Sequence, residues 1–467
     1  MDELPDIDQW LVTPENPPRD VDGMDHERCA ALHNYLIQYA WVASNENLVG
    51  SFEPLSWFEK HGDRANEVRE YLDPSVVMFL ESVHDAIDDF RVKFFYWVSG
   101  LNDPGDLWSN WEPFSEGGEE YRRMTLYNTN CGLLGSHTNG LCYDQKLHKA
   151  YMFISLDDHE SADKEEHEHL WHPLETVLSN WILTLRMGKI TAGPDGVRLD
   201  NEKFDPWMYH SYSPQQVEDT VAAFNRLVVA IESRIPPSQR KWPTSTPILS
   251  HKLLDAAFVP NPSFARSFLT TIRLPSFQYI APGLLLPTPE TFVQNQLFTP
   301  VKDENDNLSI PPVLLFSAKE TVSLKYGPYD HKPLGLVRTD ALQGKPILAG
   351  VYTEAVSRRA EDTAEEGFRL ILPYSIGQNG YARESTGSII DSTVRPSFQD
   401  LYQHGFKPFG GDWSRAQRLV RLLDNWTGMV ERGLWEVGED GVLGGIEKFK
   451  EADTKERWKD YWMEPDW

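Results

Sequence analysis

The chain has 467 residues, beyond the ~250–300 at which a single hydrophobic core stops growing, so two packed domains or one elaborated domain are expected. Apolar residues make up 40% of it, with 16 Trp, 18 Tyr and 22 Phe, which supplies a core and excludes global disorder. The net charge of −27 repels phosphate backbones and anionic membranes; the longest basic run is the short "SQRKW" at 238–242, which argues against a nucleic-acid partner.

No apolar run approaches the ~20 residues of a membrane span, and "MDELPDIDQW" is acidic where a secretion signal is basic. Cys29, Cys131 and Cys142 make an odd set, unsuited to a disulfide framework. A cytoplasmic location follows as the expectation.

Residues 1–22 are acidic and Pro-rich and read as an extended arm. Leu32, Leu36, Tyr39 and Ala40 recur at helical spacing between Asp25 and Val42. Asp73-Pro74 then opens a helix, with Pro at its first position, and the stripe Val76, Val77, Leu80, Val83, Ile87, Phe90 and Phe94 predicts that it continues to residue 98. Strand-like runs at 121–129 and 149–156 flank a turn-rich stretch and predict a long hairpin. Residues 172–189 are predicted helical, with Pro173 at the first helical position. Residues 213–235 carry a full capping-box signature, Ser213-Pro214 with Gln216.

The Pro-rich 236–247 and the polar 301–312 are linker candidates. Short strands are predicted at 313–318, 334–339, 347–356 and 368–375. A helix follows from about Trp413 to Glu431, stopped by Gly433, and a shorter one at about 445–452. Helices and strands mix without steady βα alternation, which favours an α+β fold. It would be helix-rich in its N-terminal part and at its C-terminal end, with mixed or antiparallel strands in the centre and C-terminal half. The expected division is an arm at 1–22, a helix-rich region at 23–240 and an α+β region at 248–467, or one continuous domain over the last two.

The stretches "HLWHPLETVLSNWILTLRMGKI" (169–190), "HGFKPFGGDWSRAQRL" (404–419) and "GEDGVLGGIEKFKEADTKERWKDYW" (438–462), with "PPVLLFSA" and "EEGFRLILPYS", resemble an uncharacterised family of filamentous-fungal proteins. The likeness runs over most of the chain. It implies an intracellular fungal protein and transfers no activity or catalytic residue.

Four places carry candidate chemistry. "DDHESADKEEHEHLWHPLE", 157–175, holds His159, His167, His169 and His172, but no one periodicity brings three of them together, and the zincin spacing of two His four apart is missing. A solvated connection is the expected reading. Glu81, Asp85 and Asp88 fall at i, i+4 and i+7, one face of the predicted 74–98 helix. Such hard oxygen ligands suit a divalent metal, although the pattern also describes a wet helix face. His137 and Cys142, with Asp144 nearby, offer a His-activated thiol, set against ordinary packing of a small buried Cys. His404, Lys407, Gly410, Gly411 and Asp412 precede a predicted helix, an arrangement that admits an anion to free backbone N–H groups; the alternative is a tight loop with Asp412 as a cap. "YGPYDHKP", 326–333, gathers aromatic and polar groups in a turn.

No cofactor is clearly implied beyond that divalent metal. Two classes of function follow: a cytosolic enzyme acting on a small molecule, in fungal secondary metabolism if the resemblance holds, or a non-catalytic intracellular protein that binds a small molecule or a protein partner.

Overall fold

The computed structural model describes residues 4–44, 55–85, 93–109, 119–129, 140–153, 165–193, 206–239, 246–300, 309–323, 334, 345–358, 363–390, 401–402, 408–410 and 417–465. The architecture is α+β. The chain forms two compact units. Unit 1 is Met1–His210 with Phe406–Ser414 and Pro465–Trp467; unit 2 is Ser211–Gly405 with Arg415–Glu464. The break at 210/211 lies upstream of the Pro-rich stretch at 236–247, so the helix expected at the end of the first region belongs to unit 2.

In unit 1, helix α1 (His26–Ser44) buries Cys29, Leu32, Leu36 and Ala40 completely, the stripe that 3.6-residue spacing demands. It packs against α3 (Pro74–Ser82) and α4 (Leu174–Arg186). A short helix, α2 (Trp57–His61), is closed by a Ser56/Glu59 capping box. The arm at 1–22 is anchored to this body. Ile7 and Leu11 are buried, and the Arg28 guanidinium donates to the carbonyls of Trp10, Leu11, Asn16 and Pro17.

Helix α3 is capped by Asp73, with Pro74 at its first position, but it stops at Ser82, far short of the expected residue 98. Val83 turns extended (φ −88°, ψ 144°). The next two amides leave the helical ladder for tertiary acceptors, His84 N–H to Asn34 Oδ1 and Asp85 N–H to the Leu55 carbonyl. Where the sequence expected a last helical turn, Phe94–Ser99 instead form a tight reversal, with Phe94 N–H on the Ser99 carbonyl and Phe95 N–H on the Val98 carbonyl.

That reversal feeds an antiparallel sheet in the order β1 (Val98–Leu101), β2 (Arg123–Thr129), β3 (Gly140–Asp144), β4 (Lys149–Phe153). The expected hairpin partners, β2 and β4, are therefore not neighbours: β3 lies between them. All five β3 residues are buried, so that strand lacks the alternation by which strands are recognised. Its start requires glycine, because a Cβ on Gly140 (φ +156°) would lie 1.9 Å from the Tyr127 carbonyl oxygen. Its end is fixed by Asp144, which is ion-paired with Arg122 and accepts from Arg123 and the amides of Lys146 and Leu147. A two-stranded pair, β5 (Ile190–Ala192) and β6 (Trp207–Tyr209), adds to the same unit. Helix α4 begins one residue later than expected, with Pro173 as its N-cap.

In unit 2, α5 (Pro214–Arg234) has the expected capping box, Ser213 and Gln216 reciprocally bonded. It lies beside α7 (Leu419–Glu431) and contacts α6 (Phe264–Thr271). Among the described residues the sheet has seven strands, β7 (Tyr279–Ala281), β8 (Leu284–Leu285), β9 (Leu314–Ser323), β10 (Pro346–Thr353), β11 (Phe368–Ile371), β12 (Val437–Gly438) and β13 (Gly441–Val442), in the order β11-β10-β9-β8-β7-β13-β12. It is antiparallel except for β7–β13. Arg418 is the N-cap of α7, so this helix starts later than the expected Trp413, and Asp412 does not cap it.

Buried Asp453 closes unit 2. Its carboxylate accepts from the amides of Asn379, Tyr381 and Ala382. Asp453→Ala is expected to destabilise unit 2 by roughly 3 kcal/mol, because buried donors lose their acceptor. An unfolding free energy in urea within about 0.5 kcal/mol of the parent protein, the size expected of a surface substitution, would contradict this.

Candidate functional site

The Glu81/Asp85/Asp88 trio does not form one face of a helix. Glu81 is exposed in the last turn of α3, bonded to Arg69. Asp85 lies beyond the helix end, and Asp88 lies outside the described residues. No group of three or more metal-competent side chains converges among the described residues.

His137 lies outside the described residues. Cys142 is fully buried on β3, not in a loop, and its core neighbours are Tyr151, Phe153, Leu170 and Trp171, with Thr125 Oγ1 3.7 Å from its sulfur. Of the loop at 404–412, Pro408, Phe409 and Gly410 are described, and of the candidate residues only Gly410. Its φ of +121° and the Trp97 ring, 2.5 Å from where a Cβ would stand, require glycine there. That is a packing requirement. His404, Lys407, Gly411 and Asp412, like the turn at 326–333, lie outside the described residues.

The acidic stretch at 157–175 is described from Glu165 onward. Its histidines sit in a 3-10 turn, Glu165–Leu170, and in the bridge His172↔Ala150. His167 is buried. His172 stacks on Phe409 with centroids 4.8 Å apart, and burial, then the charges of His169 and Lys149, lowers its pKa to about 4.

A different group of residues converges in unit 1. A cavity of about 130 Å³ is lined by His33 and Ile37 of α1, Lys60 of α2, His84 and Asp85 after α3, and Lys93, Phe94, Ser99, Gly100 and Leu101 around β1. One water needs only roughly 10–15 Å³ of such space, so the cavity admits a small molecule. The early end of α3 makes it: a helix continued through Asp85 would not carry His84 and Asp85 into this wall.

The chemistry of the wall follows from its hydrogen bonds. Asp85 Oδ1 faces Lys60 Nζ at 3.2 Å and Oδ2 faces His61 Nε2 at 3.1 Å. Burial raises its pKa, but the His61 hydrogen bond and the Lys60 charge outweigh that, so Asp85 titrates below the ordinary aspartate value. His33 stacks on Phe94 (4.5 Å, 27°). Its Nε2 is 2.9 Å from the His84 carbonyl and its Nδ1 2.7 Å from the Tyr127 hydroxyl. A carbonyl only accepts, so Nε2 carries the proton and Nδ1 accepts from Tyr127. Both nitrogens are thus engaged in the neutral ring, and burial lowers the His33 pKa to about 4. Burial also lowers the pKa of His84.

His33 therefore couples stability to acid. Between about pH 6.5 and pH 4 the unfolded chain takes up a proton at this imidazole and the folded chain does not, so stability falls as pH falls through that window. The loss approaches ~3 kcal/mol at its lower end. Denaturant curves at pH 7 and pH 4.5 are expected to show it, and His33→Gln is expected to flatten the slope. An unchanged slope in His33→Gln would place the acid sensitivity elsewhere.

Of these wall residues Asp85 alone was a candidate site residue in the sequence, as a metal ligand and not as part of a cavity. His33, adjacent to the α1 stripe, was the available signal: a histidine beside an apolar face that must find partners. Its partners lie on other elements, beyond any local pattern. No protein-family model, curated protein or solved structure matches the chain.

Proposed function

We propose that this is a small-molecule-binding protein whose ligand occupies the unit 1 cavity. The observation that supports it is the convergence on one cavity of two lysines, a carboxylate and two histidines, with Ile37, Phe94 and Leu101 supplying its apolar part; convergent polar groups in a concave site mark a ligand site. The resemblance to filamentous-fungal proteins adds an intracellular fungal setting to the proposal. Among the described residues no helix is long and apolar enough to cross a membrane.

A second reading, that the protein is an enzyme turning this ligand over, is supported by His84. His84 lines the cavity beside Asp85, and its lowered pKa leaves its imidazole unprotonated at neutral pH, able to accept a proton. Asp85, held below its ordinary pKa, is the weaker base.

The test is a calorimetric screen of the intact protein against small organic acids, amides, amines and alcohols, repeated with Ile37→Trp to fill the cavity. Binding of at least one probe class that Ile37→Trp abolishes while the fold is retained is expected. Binding unaffected by Ile37→Trp would contradict the proposal. A bound probe recovered chemically unchanged after long incubation selects binding over turnover for that probe.

A further inference from the structure

We propose that the ligand of this cavity is a small organic monoanion, a carboxylate with a short apolar body, held by Lys93. The inference rests on the small-molecule reading and adds the chemical class.

Charge pairing carries it. Two lysines and one aspartate line the cavity. The carboxylate, Asp85, is engaged by Lys60 at 3.2 Å and by His61 at 3.1 Å. Lys93 has no ion pair among the described residues: its recorded bond is through its backbone carbonyl, which accepts from Trp207 Nε1 at 2.8 Å. The two histidines bring no further charge, since both are neutral at physiological pH. In a chain with 71 acidic and 44 basic residues, carboxylates are the abundant partners, and among the described residues this lysine lines the cavity without one. Half-buried ammonium groups recover their lost hydration from an anion.

The remaining lining limits the class. Asp85 stays ionised in the same wall, and a second negative charge on the ligand would be repelled by it. That disfavours phosphate dianions. Ile37, Phe94 and Leu101 offer apolar contact to the rest of the molecule, and Ser99 adds a hydroxyl. A carboxylate with a few carbons satisfies each of these at once.

The experiment is calorimetry on the full chain with matched pairs: isobutyrate against isobutyramide, benzoate against benzamide, and inorganic phosphate as a separate arm. Each carboxylate is expected to bind about ten- to a hundredfold more tightly than its amide, the range for a hydrogen bond to a charged partner. Lys93→Met is expected to erase that preference, and Lys93→Arg to keep most of it, which separates loss of charge from loss of fold. Amides and carboxylates binding equally well, in a manner that Ile37→Trp abolishes, would overturn the monoanion while leaving the cavity as a ligand site. Phosphate binding more tightly than either carboxylate, or a preference intact in Lys93→Met, would also overturn it. Failure of every probe, charged or neutral, would remove both readings together.

Discussion

Trp181→Ala is expected to unfold most of unit 1. The indole is fully buried. It stacks on Phe95 at 5.0 Å and meets Phe94 and Tyr127 edge-on, and its Nε1 donates to the Phe409 carbonyl at 2.6 Å. Truncating a buried Trp costs about 3–5 kcal/mol. The orphaned Phe409 carbonyl adds roughly 1–3 kcal/mol. Together these approach the ~5–15 kcal/mol that a whole domain commands. Because Phe94 is both a neighbour of Trp181 and a wall of the cavity, ligand binding should vanish with it. Trp181→Phe keeps most of the packing and loses the donor, so it should retain a fold with a lower midpoint. Hydrogen exchange read peptide by peptide checks this. Loss of protection across α1, α4 and β2 in Trp181→Ala is the expected result, and wild-type protection there would refute the account of this core.

Arg28→Met is the second large effect. The side chain is almost fully buried, and its guanidinium donates to four carbonyls of the segment 10–17 at 2.7–2.9 Å. Burial lowers its pKa, opposed by the charges of Glu175 and Asp25. Removing it strands four buried acceptors and withdraws a positive charge from near Glu175, while Asp25 keeps its pairing with Arg19, a loss of roughly 3–5 kcal/mol. The local consequence is release of the arm, so proteolysis within residues 7–20 should accelerate well before the rest of unit 1 is cut. Arg28→Lys should rescue little, because an ammonium cannot span acceptors placed for a planar fork. Equal proteolysis rates in parent and Arg28→Met would show that the arm is held by something else.

The legible parts of the fold were those whose signals are local. The capping box at Ser213/Gln216, the Asp73-Pro74 helix start and the stripe of α1 all appear where spacing placed them. The errors share one cause, tertiary partners overriding a local pattern. Helix α3 stops because Asn34 and Leu55 offer better acceptors to His84 and Asp85 than the next helical turn does. Strand β3 was read as loop because its complete burial removes alternation. The N-terminal arm looked free because the residue that ties it down, Arg28, sits inside a helix.

The site was less legible still, for the same reason. Motif spacing led to carboxylates on one presumed helix, to a thiol in one presumed loop and to a glycine pair. The cavity is instead assembled from four separate pieces of chain. Asp85, singled out as a metal ligand, does belong to a polar site, but its partners there are Lys60 and His61, where a metal cluster needs further carboxylate ligands.

The central claim, a ligand site for a small carboxylate at Lys93, is tested most directly by a crystal structure of the protein grown with benzoate. The expected result is benzoate in the unit 1 cavity, its carboxylate about 2.7–3.2 Å from Lys93 Nζ and its ring against Ile37, Phe94 or Leu101. A cavity holding only water at saturating benzoate, or benzoate bound there with its carboxylate turned away from Lys93, would contradict it.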